Sequence, residues 1–79
     1  MRSIRIIAAE IYQNWEAAQK NPYHPALPYI RAMMSLDKIS DNYGFDRGRD
    51  IVNYFLANAA TWRGEKARAI KAELKEMLK

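Results

Sequence analysis

The three prolines of this 79-residue chain all fall in one short stretch, Lys20-Asn21-Pro22-Tyr23-His24-Pro25-Ala26-Leu27-Pro28, and no proline interrupts anything after it. Each proline removes a backbone donor and restrains the residue before it, so no regular helix or strand ladder can run through this stretch. A first element has to end here and a second has to start. Pro25 suits a first helical turn, and Pro28 is tolerable because it lies so near that start.

Both sides of the stretch carry helical spacing. Behind Ser3, a candidate N-cap, come Ile4, Ile7, Ala8, Ile11, Trp15 and Ala18, with Arg5, Glu10, Gln13, Glu16 and Gln19 in other directions. Beyond the prolines, Tyr29, Met33 and Leu36 form a stripe flanked by Ala32 and Ile39 on one side and by Ile30 and Met34 on the other. A connector rich in turn formers, Ser40-Asp41-Asn42-Tyr43-Gly44-Phe45-Asp46-Arg47-Gly48, follows, and Asp46 is a candidate cap for the next helix. That helix carries Ile51, Val52, Phe55, Leu56 and Ala59, with Tyr54 at the edge of the stripe. Near Gly64 the apolar direction turns by roughly 80° before the Ala67/Ile70/Leu74/Met77 stripe begins, which predicts a break, with Thr61 able to cap a fourth helix. The expectation is an all-α bundle of about four helices, approximately 3–19, 25–39, 47–60 and 62–78, forming one domain over residues 1–79. The second and third helices have apolar faces wider than a surface helix needs, so they form the centre of the bundle or reserve a face for a partner.

Size allows one domain. Area scaling for 9.2 kDa gives roughly 13,000 Å² unfolded and about 5,000 Å² folded. Cysteine is absent, which excludes disulfides and thiolate metal sites. No apolar run approaches the roughly 18 residues a membrane span requires, so no membrane partner is expected. The basic start, Met1-Arg2-Ser3-Ile4-Arg5, leads into an apolar stretch that Glu10 interrupts, unlike a signal peptide.

The net charge of +4 makes acidic partners worth considering, and most of the excess lies at the end of the chain. Residues 63–79 hold six Lys/Arg against three Glu. Arg68, Lys71, Lys75 and Lys79 share one helical face. This ridge reads as a solvated outer face, as a surface for an acidic protein, or as a phosphate-binding surface for nucleic acid. It contains no aromatic, which argues against single-strand stacking. Trp62-Arg63-Gly64-Glu65 is the most distinctive local cluster: Trp62 either closes one end of the core or, with Arg63, contacts a partner. The connector poses the same choice. Tyr43, Phe45, Arg47 and Arg49 make a partner-binding tip, or the aromatics tuck under the bundle while the arginines pair with Asp46 and Asp50.

Candidate chemistry is sparse. His24 is the only histidine, and no ligand spacing around it supports a metal; a loop imidazole bonded to backbone or water accounts for it. Asp37, Asp41 and Asp46 do not match the calcium-loop spacing. Ser3, Ser35 and Ser40 sit beside no base. No enzyme activity, metal or cofactor is expected.

The segments Ile51–Ala59 and Trp62–Leu74, with Pro28-Tyr29, Met33 and the Asp41…Tyr43-Gly44 turn, resemble small uncharacterised proteins encoded by bacteriophages and prophages, over roughly residues 4–78. The resemblance carries no site residues. It implies a small, non-enzymatic accessory protein in the bacterial cytoplasm that binds a host protein, an anti-CRISPR-like inhibitor of host defence being one such role. Trp62, Arg63 and the Tyr43–Arg49 turn are then the expected contacts. A nucleic-acid binder and a self-assembling structural protein are the alternatives.

Overall fold

The structure, a computed structural model, describes residues 2–79. In it Ile4, Ile7, Ala8 and Ile11 define the inner face of α1 (Ile4–Asn14). Ser3 occupies the N-cap position, but its hydroxyl does not cap; it donates to Asp37 Oδ1 at 3.0 Å. The first free N–H groups of α1 are satisfied by another part of the chain, Ile4 N–H donating to the Asp37 carbonyl (3.0 Å) and Arg5 N–H to that of Leu36 (2.8 Å). Helix starts leave such donors orphaned, and here a distant turn supplies the acceptors.

The first helix does not continue to residue 19. Trp15, at φ −94° and ψ 87°, breaks it, and α2 (Glu16–Lys20) starts on the other side. The break lets the Trp15 ring enter the core while Ala18, one turn on, is still buried. The second predicted helix is also shorter than its periodicity suggests. Pro25 lies outside it, α3 runs Leu27–Met33 with Pro28 inside its first turn, and short-range bonds then turn the chain (Ser35 N–H to Ala32 O, Leu36 N–H to Met33 O). Leu36 is fully buried, so the apolar spacing predicts the burial correctly and the backbone wrongly.

The connector supplies the departure from an all-α fold. Asn42–Tyr43 (β1) and Asp46–Arg47 (β2) pair antiparallel, Asn42 opposite Arg47 and Tyr43 opposite Asp46. Asp46 therefore sits in a strand and Arg47 takes the N-cap position of α4 (Gly48–Ala57). The expected break after residue 59 is present, with a different start beyond it. Gly64, not Thr61, is the N-cap of α5 (Glu65–Met77), at φ 115°, a conformation that favours glycine.

The result is mostly helical: five helices and a two-stranded sheet among the described residues. Helix α3 packs against both α1 and α4, and α5 closes on α1. The wide apolar face expected of the second helix is largely used between these two neighbours, with Ile30, Ala32 and Met33 all buried. One hydrophobic cluster joins α1, α3, α4, α5 and the segments between them. The accessible surface is 5110 Å², close to the area expected for a folded chain of this mass. No helix among the described residues is long and apolar enough to cross a membrane.

Candidate functional site

The hairpin at residues 42–47 is built on Asp41 and Gly48. The Asp41 carboxylate accepts the backbone N–H groups of Asp37 (3.0 Å) and Lys38 (2.9 Å), while its carbonyl accepts the Gly48 N–H at 2.7 Å. Those two backbone donors hold the Asp41 carboxyl below its ordinary range. A side chain at Gly48 would place its Cβ 2.6 Å from the Asp41 carbonyl and 3.1 Å from that of Ile39, so glycine is what lets the neck close.

The tip is the two-residue turn Gly44-Phe45. Gly44 has φ 61° and no non-glycine residue has positive φ, which is the pattern of a type II′ hairpin turn with glycine first. Phe45, second in the turn, is fully exposed, and Tyr43 keeps 46% of its surface. The two aromatics do not tuck under the bundle. Arg47 is fixed by two parallel bonds to Asp50, Nε to Oδ2 at 3.0 Å and a second nitrogen to Oδ1 at 3.2 Å. These bonds, then the Asp50 charge and, to a lesser degree, Tyr54, push the Arg47 guanidinium above its ordinary range. Arg49 turns inward and donates to the Leu78 carbonyl, tying the start of α4 to the end of α5. A cleft of about 250 Å³ lies beside the hairpin, lined by Ile39, Ser40, Asn42, Arg47 and Arg49.

Continuing along α4, Tyr54 is half exposed and its ring lies 5.6 Å from that of half-buried Tyr29. Helical spacing places Tyr54 at the edge of the core stripe and gives no sign of its role in extending the exposed aromatic surface. Met34, Ile6 and Tyr23 are the other large apolar residues exposed, on separate elements.

Trp62 is not a surface contact. It is 3% exposed, stacks on Trp15, meets Phe55 edge-on, and donates its indole N–H to Asn14 Oδ1 at 3.1 Å. The expected pairing of Trp62 with Arg63 in one contact patch is therefore corrected: the core took the indole, and only Arg63 reaches the surface. The histidine meets its ordinary expectation, its Nδ1 accepting the Ala26 N–H at 3.1 Å and its ring standing edge-on to Trp15.

The basic ridge is also altered. Lys79 pairs with Glu76 at 3.2 Å, and Lys71 is partly buried, donating to the Trp62 carbonyl at 2.6 Å. Arg68 and Lys75 are exposed and have no ion pair among the described residues. A larger groove, about 680 Å³, lies between the start of α1 and the end of α5. Its charges are mostly satisfied: Arg5 pairs with Asp37, Lys79 with Glu76, and Arg2 with Glu10 and Glu73. No group of three His, Cys, Asp or Glu residues able to hold a metal occurs among the described residues.

Comparison with protein families, with curated proteins and with solved structures finds no match.

Proposed function

We propose that this protein acts by binding another protein through its 42–47 hairpin, with Phe45 as the anchor and Tyr43, Arg47 and Tyr54 around it. One observation carries the reading. A phenylalanine that contributes nothing to the core is displayed, fully exposed, on a turn whose backbone is pinned at the neck, at the tip and by the Arg47–Asp50 pair. Aromatic and arginine side chains dominate interface energetics, and a pre-organised turn lowers the ordering cost of binding. The cleft beside the hairpin is of a size to receive a partner's side chain.

The resemblance to phage and prophage proteins makes bacterial host proteins the first partners to test, defence complexes among them, with inhibition of such a complex as the proposed outcome. Capture from bacterial lysate by the tagged chain is compared with capture by Phe45→Ala and Tyr43→Ala. A discrete protein retained by the parent and by Arg68→Gln, and absent with both hairpin variants, supports the reading. Identical capture by all four proteins overturns it.

A further inference from the structure

The chain carries a second surface that the hairpin does not explain. Along α5, Lys71 and Lys75 follow one another at one helical turn, with Arg68 on the same face, and Arg63 stands in the segment just before the helix. Lys71 is fixed in place: its ammonium donates to the Trp62 carbonyl and lies 6.0 Å from the centre of the Trp62 ring. Its proton affinity is lowered by burial first, then by Lys75 and Arg63, so these three cations sit close enough to repel one another. No carboxylate of the described residues pairs with Arg63, Arg68, Lys71 or Lys75. The neighbouring glutamates are engaged elsewhere, Glu73 with Arg2 and Glu76 with Lys79. Uncompensated like charge held around a partly desolvated ammonium is relieved by an external anion.

We propose that Arg63, Arg68, Lys71 and Lys75 form a binding surface for the phosphate backbone of duplex nucleic acid. The choice of partner rests on what the surface lacks. Protein interfaces need apolar or aromatic anchors, yet none of the large exposed apolar residues lies on α5. Nucleic-acid interfaces are polar and strongly positive. Arg68, Lys71 and Lys75 rise along the helix axis by about 4.5 and 6 Å, a linear array suited to a repeating row of phosphates. The only nearby aromatic, Trp62, is buried, so no platform exists for stacking unpaired bases. Backbone contacts of this kind carry no sequence preference.

The test is fluorescence anisotropy of a labelled random-sequence DNA duplex titrated with the full chain across a salt series. Arg68→Gln/Lys75→Gln, two exposed positions, is the principal variant, and retention of its near-ultraviolet circular dichroism confirms the fold. Neutralising one phosphate-binding cation lowers the slope of log affinity against log salt by about 0.9, so the double variant is expected to drop by about 1.8 in slope and on the order of tenfold or more in low-salt affinity. Phe45→Ala should bind the duplex like the parent. An unchanged slope in the double variant overturns the proposal, as does no duplex binding by the parent at low salt. Polyglutamate that displaces the duplex at equal charge concentration would also overturn it, assigning the surface to acidic proteins.

Discussion

Trp15 and Trp62 lie face to face, ring centroids 5.6 Å apart and planes 16° from parallel, joining the break in the first helical segment to the segment that precedes the last helix. Phe55 of α4 meets both rings edge-on at 6.4 Å, and His24 of the proline-rich loop closes the far side of Trp15 at 4.7 Å. Four segments distant in sequence therefore converge on one aromatic cluster. Trp62→Ala should destabilise the fold by about 3–5 kcal/mol, as large-to-small aromatic substitutions in cores do. Asn14→Ala, which strands the indole N–H, should cost about 1–3 kcal/mol. Urea denaturation followed by far-ultraviolet circular dichroism measures both; a Trp62→Ala loss below that of Asn14→Ala would contradict the core assignment.

Gly48→Ala probes the hairpin neck. The added Cβ would meet two backbone carbonyls, Asp41 at 2.6 Å and Ile39 at 3.1 Å, and backbone cannot move aside as a flexible side chain would. The expected loss is about 1–3 kcal/mol, the usual range for overpacking. A Gly48→Ala chain as stable as the parent in the same denaturation would show that the neck opens without consequence.

Acid should weaken the fold through two carboxylates. Asp41 is held below its ordinary value of 3.8 by the N–H groups of Lys38 and Asp37, and Glu73 below 4.5 chiefly by hydrogen bonds from Arg2. Groups with depressed folded-state values add stability that is fully present above those ordinary values and is lost as pH falls through the lower folded ones. Stability should therefore be flat near neutrality and fall as pH drops below about 4. Asp41→Asn should lower the neutral plateau and flatten that acid limb. A urea midpoint that changes equally with pH in parent and variant would remove Asp41 from the account.

The helical faces are legible because burial follows periodicity even where backbone does not. Ile4, Ile7, Ala8, Ile11, Trp15 and Ala18 are all buried as their spacing predicts, though the helix breaks at Trp15. Helix α3 ends early because the carbonyls of Leu36 and Asp37 serve the start of α1 instead, a tertiary demand invisible to any local pattern. The hairpin is hidden by its size. Two-residue strands have no alternation to detect, and Gly44 alone signals the turn. Trp62 is ambiguous for a plain reason: an indole beside an arginine reads alike as core plug or contact until its neighbours are known. Spacing offers Asp46 and Asp50 as partners for Arg47 and Arg49, yet only Arg47 takes one, Asp50, while Arg49 reaches the Leu78 carbonyl.

Gly44 and Phe45 separate display from stability. Gly44 holds φ 61° with nothing within 4 Å of where a Cβ would sit, so Gly44→Ala carries conformational strain without a clash. That strain should cost about 1–3 kcal/mol, drawn from the turn alone. Phe45 is fully exposed, so its ring loses no water on folding and Phe45→Ala should leave stability within about 0.5 kcal/mol. If the hairpin is the contact surface, both substitutions weaken partner binding, Phe45→Ala by removing the anchor and Gly44→Ala by distorting the turn that presents it. Thermal unfolding and partner capture on the same two variants make the comparison. A Phe45→Ala chain that loses substantial stability would place the ring against the fold, and one that keeps full binding would remove the hairpin as the site.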